Sequence, residues 1–490
     1  MLNALLTTEQ MYKADALTIA SGIAGYDLME NAGVAVYRAI TERWQPRPCV
    51  VLCGPGNNGG DGFVVARVLA AAGWPVRLAL LGDLASLSGD AAVAAKAWTG
   101  DIEPLSTKLL EAGPLVIDAL FGAGLSRPLS GVVSEIISSI NQQDLDCVAI
   151  DVPSGVDGNS GQLLGSAPRC RLTVSFFRAK PAHYLMPARD YLGALVIADI
   201  GIAAAVLDQI GPTTFVNDPV FWAAAFPQPD TAAHKFQRGH LLVAGGEEMT
   251  GAARLAARAG RRVGAGLVTI AASPETWPIY AADSPGHMVK ETATVEAYEK
   301  LLGDERITAL VIGPGFGRDQ RTRQWVLSAL ASKKPIVLDA DGLSAFAGDP
   351  GQLLDRLHGD CVLTPHEGEF ARLFDGAGSK LEKARTAAIR TGACILLKGP
   401  DTVIAEPSGR AFINRTGTAY LATAGSGDVL AGLIGGLLAQ GMAPFEAASA
   451  ACWMHGIAAE RFGPGLIAED IPEIIPNITK TIIKMSSAKG

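Results

Sequence analysis

Three stretches in the first half of the chain carry residue types that bind and move charge. GPGNNGGDG, residues 54–62, joins an apolar run, CVVLC (49–53), to a helix-like run, GFVVARVLAAAG (62–73). Its glycines permit positive φ and close backbone approach. Loop amides and a helix N-terminus favour an anion, and Asn57, Asn58 and Asp61 add side-chain ligands. The stretch matches neither GxGxxG nor a phosphate loop ending in GK[ST]. As a plain turn it would need only Asp61 as a helix cap. Two Asn, one Asp and five Gly exceed that need. LVIDALFGAGLSRPLSG then places Asp118 at a strand end, and CVAIDVPSGVDG places Asp151 at another, followed by Pro153, Ser154 and Gly155. Each alone fits an Asx turn, but three polar strand ends meeting in one crevice make a site. Asn, Asp and Ser oxygens suit a hard cation. Carboxylates on separate strand ends equally suit proton transfer, and at this point both readings stand.

The second half repeats the theme with different chemistry. TAGSGDVLAG (423–432) opens a long helix. Read blandly, Ser426 is its N-cap and Asp428 favours its first turn. Read functionally, the amides of Gly425, Ser426 and Gly427 hold a phosphoryl group, and Asp428 acts as base toward a hydroxyl. LLKGPDT (396–402) puts Lys398 at a strand end, suited to a nucleotide diphosphate, although a snorkelling surface lysine has the same local pattern. TPHEGEF (364–370) puts His366 after a strand, where a structural hydrogen-bonding role is the commoner one. GPGFG (313–317) and TGAARLAARAG (250–260) add glycines and small residues for close approach.

The elements that must position these residues alternate regularly. Apolar runs at 49–53, 76–81, 115–120 and 147–152 are separated by helical patterns, and runs at 171–177 and 193–200 close the first half. Residues 203–238 are expected to be irregular, with Pro212, Pro219, Pro227 and Pro229, so the junction is placed near 215–225 and the domains at 1–215 and 216–490. A second series runs at 240–246, 267–272, 309–315, 335–341, 361–366 and 393–399, ending in helices at 427–440 and 444–461. Continuous apolar strands between helices predict parallel sheets covered on both faces, with ligands beyond the carboxyl ends of the strands. The fold class is α/β: two different α/β domains, with a first helix starting near Thr7 or Thr8.

Composition excludes several function classes. Of 490 residues, 49% are hydrophobic and 18% charged, which suits packed cores rather than a disordered chain. The net charge of −8, with no Lys/Arg run, argues against nucleic acid and anionic membrane as partners. Seven cysteines form no CxxC pair. Cys49 and Cys53 would stand roughly 13 Å apart along a strand, too far for a disulfide or one metal ion. All seven read as buried small hydrophobes in a reducing compartment. The opening MLNALLTTEQMYKAD lacks a secretory pattern, and the most apolar stretch, VLAGLIGGLLAQ (429–440), is too short for a membrane span, so a cytoplasmic protein is expected.

GPGNNGGDG, DALFGAGLSRPL and DVPSGVDG, in this order, resemble the NAD(P)H-hydrate epimerase family, as does the leading LLTTEQMYKADALTIASGIAGYDLMENAG. This resemblance covers roughly residues 5–205. It implies a Rossmann-like three-layer domain that interconverts the R and S hydrates of NADH and NADPH. Residues Asn57, Asn58, Gly59, Gly60 and Asp61 and Gly122, Ala123, Gly124, Leu125, Ser126, Arg127 and Pro128 would then line the hydrate site. Asp151 would contact substrate and do acid–base work, while Asn58, Asp118 and Ser154 would coordinate potassium. KGPDT followed by AGSGDVLAG, within a match over about 234–476, resembles the ADP-dependent NAD(P)H-hydrate dehydratases, which have a ribokinase-like fold. That resemblance implies dehydration of the S hydrate while ADP becomes AMP and phosphate. Ala252, Gly317, His366 and Asp428 match hydrate-contacting positions. Lys398, Gly399, Pro400, Asp401, Thr402 and Gly427 match nucleotide-contacting ones. Magnesium is expected without assigned ligands, Gly342 is expected to be a local packing difference, and a homo-oligomer is expected. The GSGD turn alone would also permit a ribokinase-like small-molecule kinase, and the first domain alone could be a non-catalytic binding module.

Overall fold

The computed structural model describes residues 3–230 and 234–487. The chain divides into two compact units, Met1–Phe215 and Val216–Gly490. The first contains a 7-stranded, wholly parallel sheet. Its strands are β1 (Cys49–Cys53), β2 (Val76–Leu80), β3 (Ile102–Pro104), β4 (Leu115–Ala119), β5 (Cys147–Ile150), β6 (Leu172–Phe176) and β7 (Ala194–Ala198). The order is β3-β2-β1-β4-β5-β6-β7. The chain reverses direction across the sheet between β1 and β4, so the crevice opens beyond the carboxyl ends of those strands. Side chains alternate between faces. Val51, Ile117 and Val148 pack under the helices on one face, and Val50, Val116 and Ala149 on the other. This is the Rossmann-like three-layer arrangement expected of continuous apolar strands.

The second unit carries β8 (His240–Ala244), β9 (Leu267–Ala272), β10 (Met288–Glu291), β11 (Ala309–Ile312), β12 (Ile336–Leu338), β13 (Cys361–Leu363), β14 (Cys394–Leu397), β15 (Val403–Ala405) and β16 (Ala411–Ile413). Their order is β16-β15-β14-β13-β12-β11-β8-β9-β10. The run β14 to β16 is antiparallel, and the rest pair in parallel. Two helices lock together over this sheet, Thr250–Arg262 and Ser426–Ala439. Glycine makes that approach possible. A Cβ on Gly432 would overlap the Ala256 backbone, and one on Gly436 would sit 2.5 Å from Val263 Cγ1. VLAGLIGGLLAQ is thus buried nearly all round by protein. No helix among the described residues is long and apolar enough to cross a membrane.

Several sequence expectations need correction. The stretch 203–238 contains short ordered pieces: a helix at Val206–Ile210, a strand at Thr214–Val216, which pairs antiparallel with Ala4–Leu5, and 3-10 turns at Pro219–Phe221 and Ala223–Ala225. The strands β3, β10, β15 and β16 were not expected, nor was the final helix Asp470–Ser487. The first helix, Thr8–Ala20, begins where expected, with Thr7 and Gln10 in a reciprocal capping box. All seven cysteines are buried free thiols.

Candidate active sites

The first site lies at the β1/β4 crevice. The helix after β1 is Asn57–Ala71, so NNGGD is its opening turn, not the loop before a helix at 62. Glycine normally weakens a helix interior by about 0.5–1 kcal/mol. Here its absent side chains let the helix sit against its neighbours. A Cβ on Gly59 would overlap the Gly54 carbonyl, one on Gly60 would lie 2.6 Å from Met29 Cε, and one on Gly62 2.6 Å from Ala119 Cβ. Gly59 and Gly60 therefore serve the packing and do not line the cavity, whereas Asn57, Asn58 and Asp61 do. Nor does Asp61 cap the helix, whose N-cap is Gly56. The cavity, about 480 Å³, is also lined by Gly122 through Arg127 and by Asp151, but not by Pro128.

Asp118, at the end of β4, is 1% exposed. Its Oδ2 accepts the Ser154 amide at 2.8 Å and its Oδ1 the Ser154 hydroxyl at 2.6 Å. The Phe121 amide donates to Ser154 Oγ at 2.8 Å, so Ser154 ties the two loops together. Burial raises the Asp118 pKa, and the Ser154 and Leu120 hydrogen bonds only partly offset this. The nearby Asn58 Nδ2 is buried without a hydrogen-bond partner.

Asp151 follows β5 with φ +68°, a strained backbone for a non-glycine residue. Its Oδ2 accepts the Ala123 amide at 3.1 Å. Its Oδ1 accepts the Ser175 hydroxyl at 2.9 Å and the ammonium of Lys180. Lys180 is 2% exposed and also donates to Ser175 Oγ at 2.9 Å. Burial pushes the Asp151 pKa up, but the charge and hydrogen bond of Lys180 outweigh it, so the carboxyl stays below its usual range. Two further carboxyls feel the opposite balance. Burial pushes Asp15 up to about 6, and burial together with Asp151 and Asp15 holds Asp61 well above its ordinary value. The cavity thus holds one ionised carboxylate beside two carboxyls held toward their neutral forms.

Sequence reasoning missed Lys180, Asp15 and Tyr12. The signal for Lys180 is its place in FFRAKP, just past a strand end. Tyr12 and Asp15 lie on the first helix, which forms one wall of the cavity. Thr8 anchors that wall by donating to Ala123 O at 3.1 Å.

The second site gathers at the carboxyl ends of β11 to β14. His366 and Lys398 sit side by side in a parallel bridge beyond β13 and β14. Lys398 Nζ is 2.7 Å from Asp339 Oδ1, at the end of β12, and 3.9 Å from Glu369 Oε2. Burial lowers the Lys398 pKa, but Asp339 and Glu369 more than reverse this, so the ammonium stays charged. A Cβ on Gly427 would lie 3.6 Å from that ammonium, which places the GSGD turn directly beside it. Gly425, not Ser426, is the N-cap, with φ +88°. Ser426 is supported from below by His455, whose Nε2 lies 3.0 Å from Ser426 O. The helix's first main-chain bond runs from Val429 N–H to Gly425 O at 3.1 Å. The Gly427 and Asp428 amides precede it, as at any helix N-terminus. Ser426 N–H turns toward Thr423 O at 3.4 Å, so it is the weakest of the three expected anion donors. Burial, then Asp339, raise the Asp428 pKa to about 6 against the opposing pull of Lys398.

The remaining residues frame this centre. Gly317 N–H donates to Asp341 Oδ2 at 3.0 Å, and Ala252 packs beneath Gly315 of the same GPGFG loop. His366 is 55% exposed and caps its helix, with Nδ1 accepting the Gly368 and Glu369 amides at 3.0 and 3.2 Å. Its Nε2 lies 3.5 Å from Glu369 Oε1 on the exposed side of the ring. Within KGPDT, the Thr402 hydroxyl accepts the Gly399 amide at 3.1 Å and closes the turn. Asp401 is tied to a lysine the sequence reading missed, Lys380, at 2.7 Å. A Cβ on Gly342 would meet Ile312 O at 3.0 Å, so this glycine is a tight local fit.

Two family models match the chain in sequence order. One, described as YjeF-related protein N-terminus, matches residues 25–182. The other, described as NAD(P)H-hydrate dehydratase, matches residues 240–477. The chain is 36% identical over 488 residues to a bifunctional NAD(P)H-hydrate repair enzyme of Coxiella burnetii, covering 96% of this chain and 98% of that one. It is 34% identical over 465 residues to the Escherichia coli protein of the same name, covering 92% and 88%. Among solved structures, a ribokinase-like superfamily protein of Enterococcus faecalis superposes with a TM-score of 0.51 at 24% identity, over 55% of this chain and 96% of that one. That likeness establishes the ribokinase-like fold.

Proposed function

The chain belongs to the bifunctional NAD(P)H-hydrate repair enzymes, and on that premise we propose that its two sites perform consecutive steps on hydrated NADH and NADPH. The first unit interconverts the R and S hydrates. The second dehydrates the S hydrate while ADP becomes AMP and phosphate. The observation that carries the reading is the opposed tuning of two carboxyls. Asp151 is kept ionised by a buried lysine, while Asp428 is raised to about 6 in the first turn of the helix that begins at Ser426.

The hydrate is a carbinolamine, with a hydroxyl and the ring nitrogen on one carbon, C6. Asp151 takes the hydroxyl proton, and the C6–N1 bond opens to an aldehyde. Rotation about C5–C6 and reclosure return the proton and invert the centre. Lys180 keeps the base charged in a site that would otherwise neutralise it. The Asp61 carboxyl, held well above its ordinary value by burial and by Asp151 and Asp15, is able to donate to the opened ring nitrogen. The residues fit a potassium ion. Asp118 is a buried carboxyl without an ion pair among the described residues, and the Ser154 hydroxyl oxygen lies 2.6 Å from its Oδ1. Oxygens of Asn58, Asp118 and Ser154 would hold the ion, which supplies the positive charge that Asp118 lacks.

In the second unit Asp428 takes the hydroxyl proton, and the oxygen attacks the β-phosphorus of ADP. The bond from that phosphorus to the bridging oxygen breaks, releasing AMP. The C6–O bond, now part of a phosphate ester, then breaks with the push of the ring nitrogen's lone pair, phosphate departs, and loss of a C5 proton restores the ring double bond. The amides of Gly425 and Gly427 and the Lys398 ammonium stabilise charge on the transferred phosphoryl group. KGPDT holds the nucleotide. Among the described residues no three His, Cys, Asp or Glu form a metal-holding group. Magnesium would therefore arrive with the ADP phosphates, as this ion commonly does.

Separate variants test the assignment. Asp428→Asn lowers dehydration by about 10²–10⁴-fold and leaves epimerisation intact, and Asp151→Asn does the reverse. Equal loss of both activities in either variant contradicts it.

A further inference from the structure

The helix Thr250–Arg262 has a second face that the two sites do not use. Its alanines and Gly260 turn into the core, while Arg254, Arg258, Arg261 and Arg262 turn outward around a cavity of about 620 Å³. Four arginines there face two carboxylates, Asp283 and Glu469. Arg254 pairs with Asp283, and Arg258 and Arg262 share Glu473. Arg261 has no ion pair or hydrogen bond among the described residues, so its charge is uncompensated. Beside it His287, its side chain 2% exposed, has a buried Nδ1 without a hydrogen-bond partner. Burial and Arg261 hold the His287 pKa down to about 4, so the ring is a neutral hydrogen-bonding group.

This cavity shares a wall with the second site. It is lined by Gly251, next to Ala252, and by Leu255, whose Cδ1 lies 2.6 Å from where a Gly425 Cβ would be. The Cβ of Ala468, adjacent to Glu469, lies 3.0 Å from the same point. The arginine cavity therefore runs along the outer face of the helix Thr250–Arg262 from Gly251, beside the hydrate-contacting position Ala252, to Arg262. We propose that it seats a phosphate group of the hydrated dinucleotide, with Arg261 as the cation that meets it. The inference rests on the dehydratase reading of this unit and deepens it. A volume of this size accepts a nucleotide moiety, and the excess of guanidinium groups selects a phosphate ester through charge-assisted hydrogen bonds.

The test is Arg261→Gln in the full chain, with steady-state kinetics on the S hydrates of NADH and NADPH. Arg261 is exposed and unpaired, so the fold is kept. The KM for hydrated dinucleotide rises on the order of tenfold, while kcat and the KM for ADP hold. A larger rise for hydrated NADPH places its 2′-phosphate in the cavity, and an equal rise places the bridging diphosphate there; both support the proposal. An unchanged KM for both hydrates overturns it, as does a rise in the KM for ADP alone. Calorimetric titration of both proteins with NADP+ reads the cavity without turnover. If the wild-type chain fails to dehydrate any hydrate but Arg261→Gln weakens NADP+ binding, the dehydratase reading falls and the phosphate seat stands. Identical NADP+ binding by both proteins overturns the seat.

Discussion

Lys180→Met isolates the electrostatics of the first site. The ammonium contacts Asp151 Oδ1 and Ser175 Oγ, and at 2% exposure no water replaces it. Methionine keeps most of the volume and removes the charge. The Asp151 carboxyl then keeps the Ser175 hydroxyl at 2.9 Å and the Ala123 amide at 3.1 Å, but loses the main influence holding its pKa down. Burial, the largest contribution, then prevails and the pKa rises. Breaking one side of a buried pair costs about 3–5 kcal/mol while the orphan stays charged. Protonation relieves part of that, so about 3 kcal/mol is expected at neutral pH. In a unit of this size this lowers Tm by roughly 6–12 °C. Epimerisation falls by about 10²–10⁴-fold at neutral pH, because the base is protonated. The sign is fixed by the direction of the change. With Lys180 present Asp151 is ionised throughout the neutral range, whereas in the variant activity recovers as pH rises. The assay follows S-hydrate formation from purified R hydrate across pH, with dehydration of pure S hydrate as the folding control. Wild-type epimerisation at neutral pH, or a loss equal at every pH, refutes the reasoning.

Other consequences are separately measurable. Asp428 must be ionised to act as base and its pKa is raised to about 6, so kcat/KM for dehydration falls as pH drops through about 6; a flat profile down to pH 5 counts against Asp428 as base. Replacing potassium by sodium slows epimerisation and leaves dehydration unchanged, and indifference of both removes the ion from the Asn58, Asp118 and Ser154 oxygens. Gly59→Ala forces a Cβ into the Gly54 carbonyl and costs about 1–3 kcal/mol in denaturant unfolding. Gly56→Ala meets no atom within 4 Å and is close to neutral; equal effects of the two would contradict the close-approach account.

The sequence showed the sheets because buried parallel strands are continuous apolar runs, and it showed the strand-end carboxylates because glycine-rich turns mark those ends. It did not show where a helix begins when glycine is used for tertiary packing. NNGGD looks like a loop by propensity and is a helix because Gly54, Met29 and Ala119 press against it. Lys180 and Asp15 were illegible for another reason. They reach Asp151 from elements 29 and 136 positions away, and no local pattern records that meeting. The hairpin strands β15 and β16 are only three residues each, too short for alternation to stand out. The arginines of Thr250–Arg262 look like an ordinary solvated face until the fold shows three of them paired and Arg261 not.

The central claim is two activities in one chain, and acid-treated NADH, which contains both hydrate epimers, tests it most directly. Purified protein with ADP and potassium should restore the reduced-nicotinamide absorbance completely, consuming the R and S fractions alike. Recovery that stops at the S fraction contradicts the epimerase half, and no ADP-dependent recovery contradicts the dehydratase half.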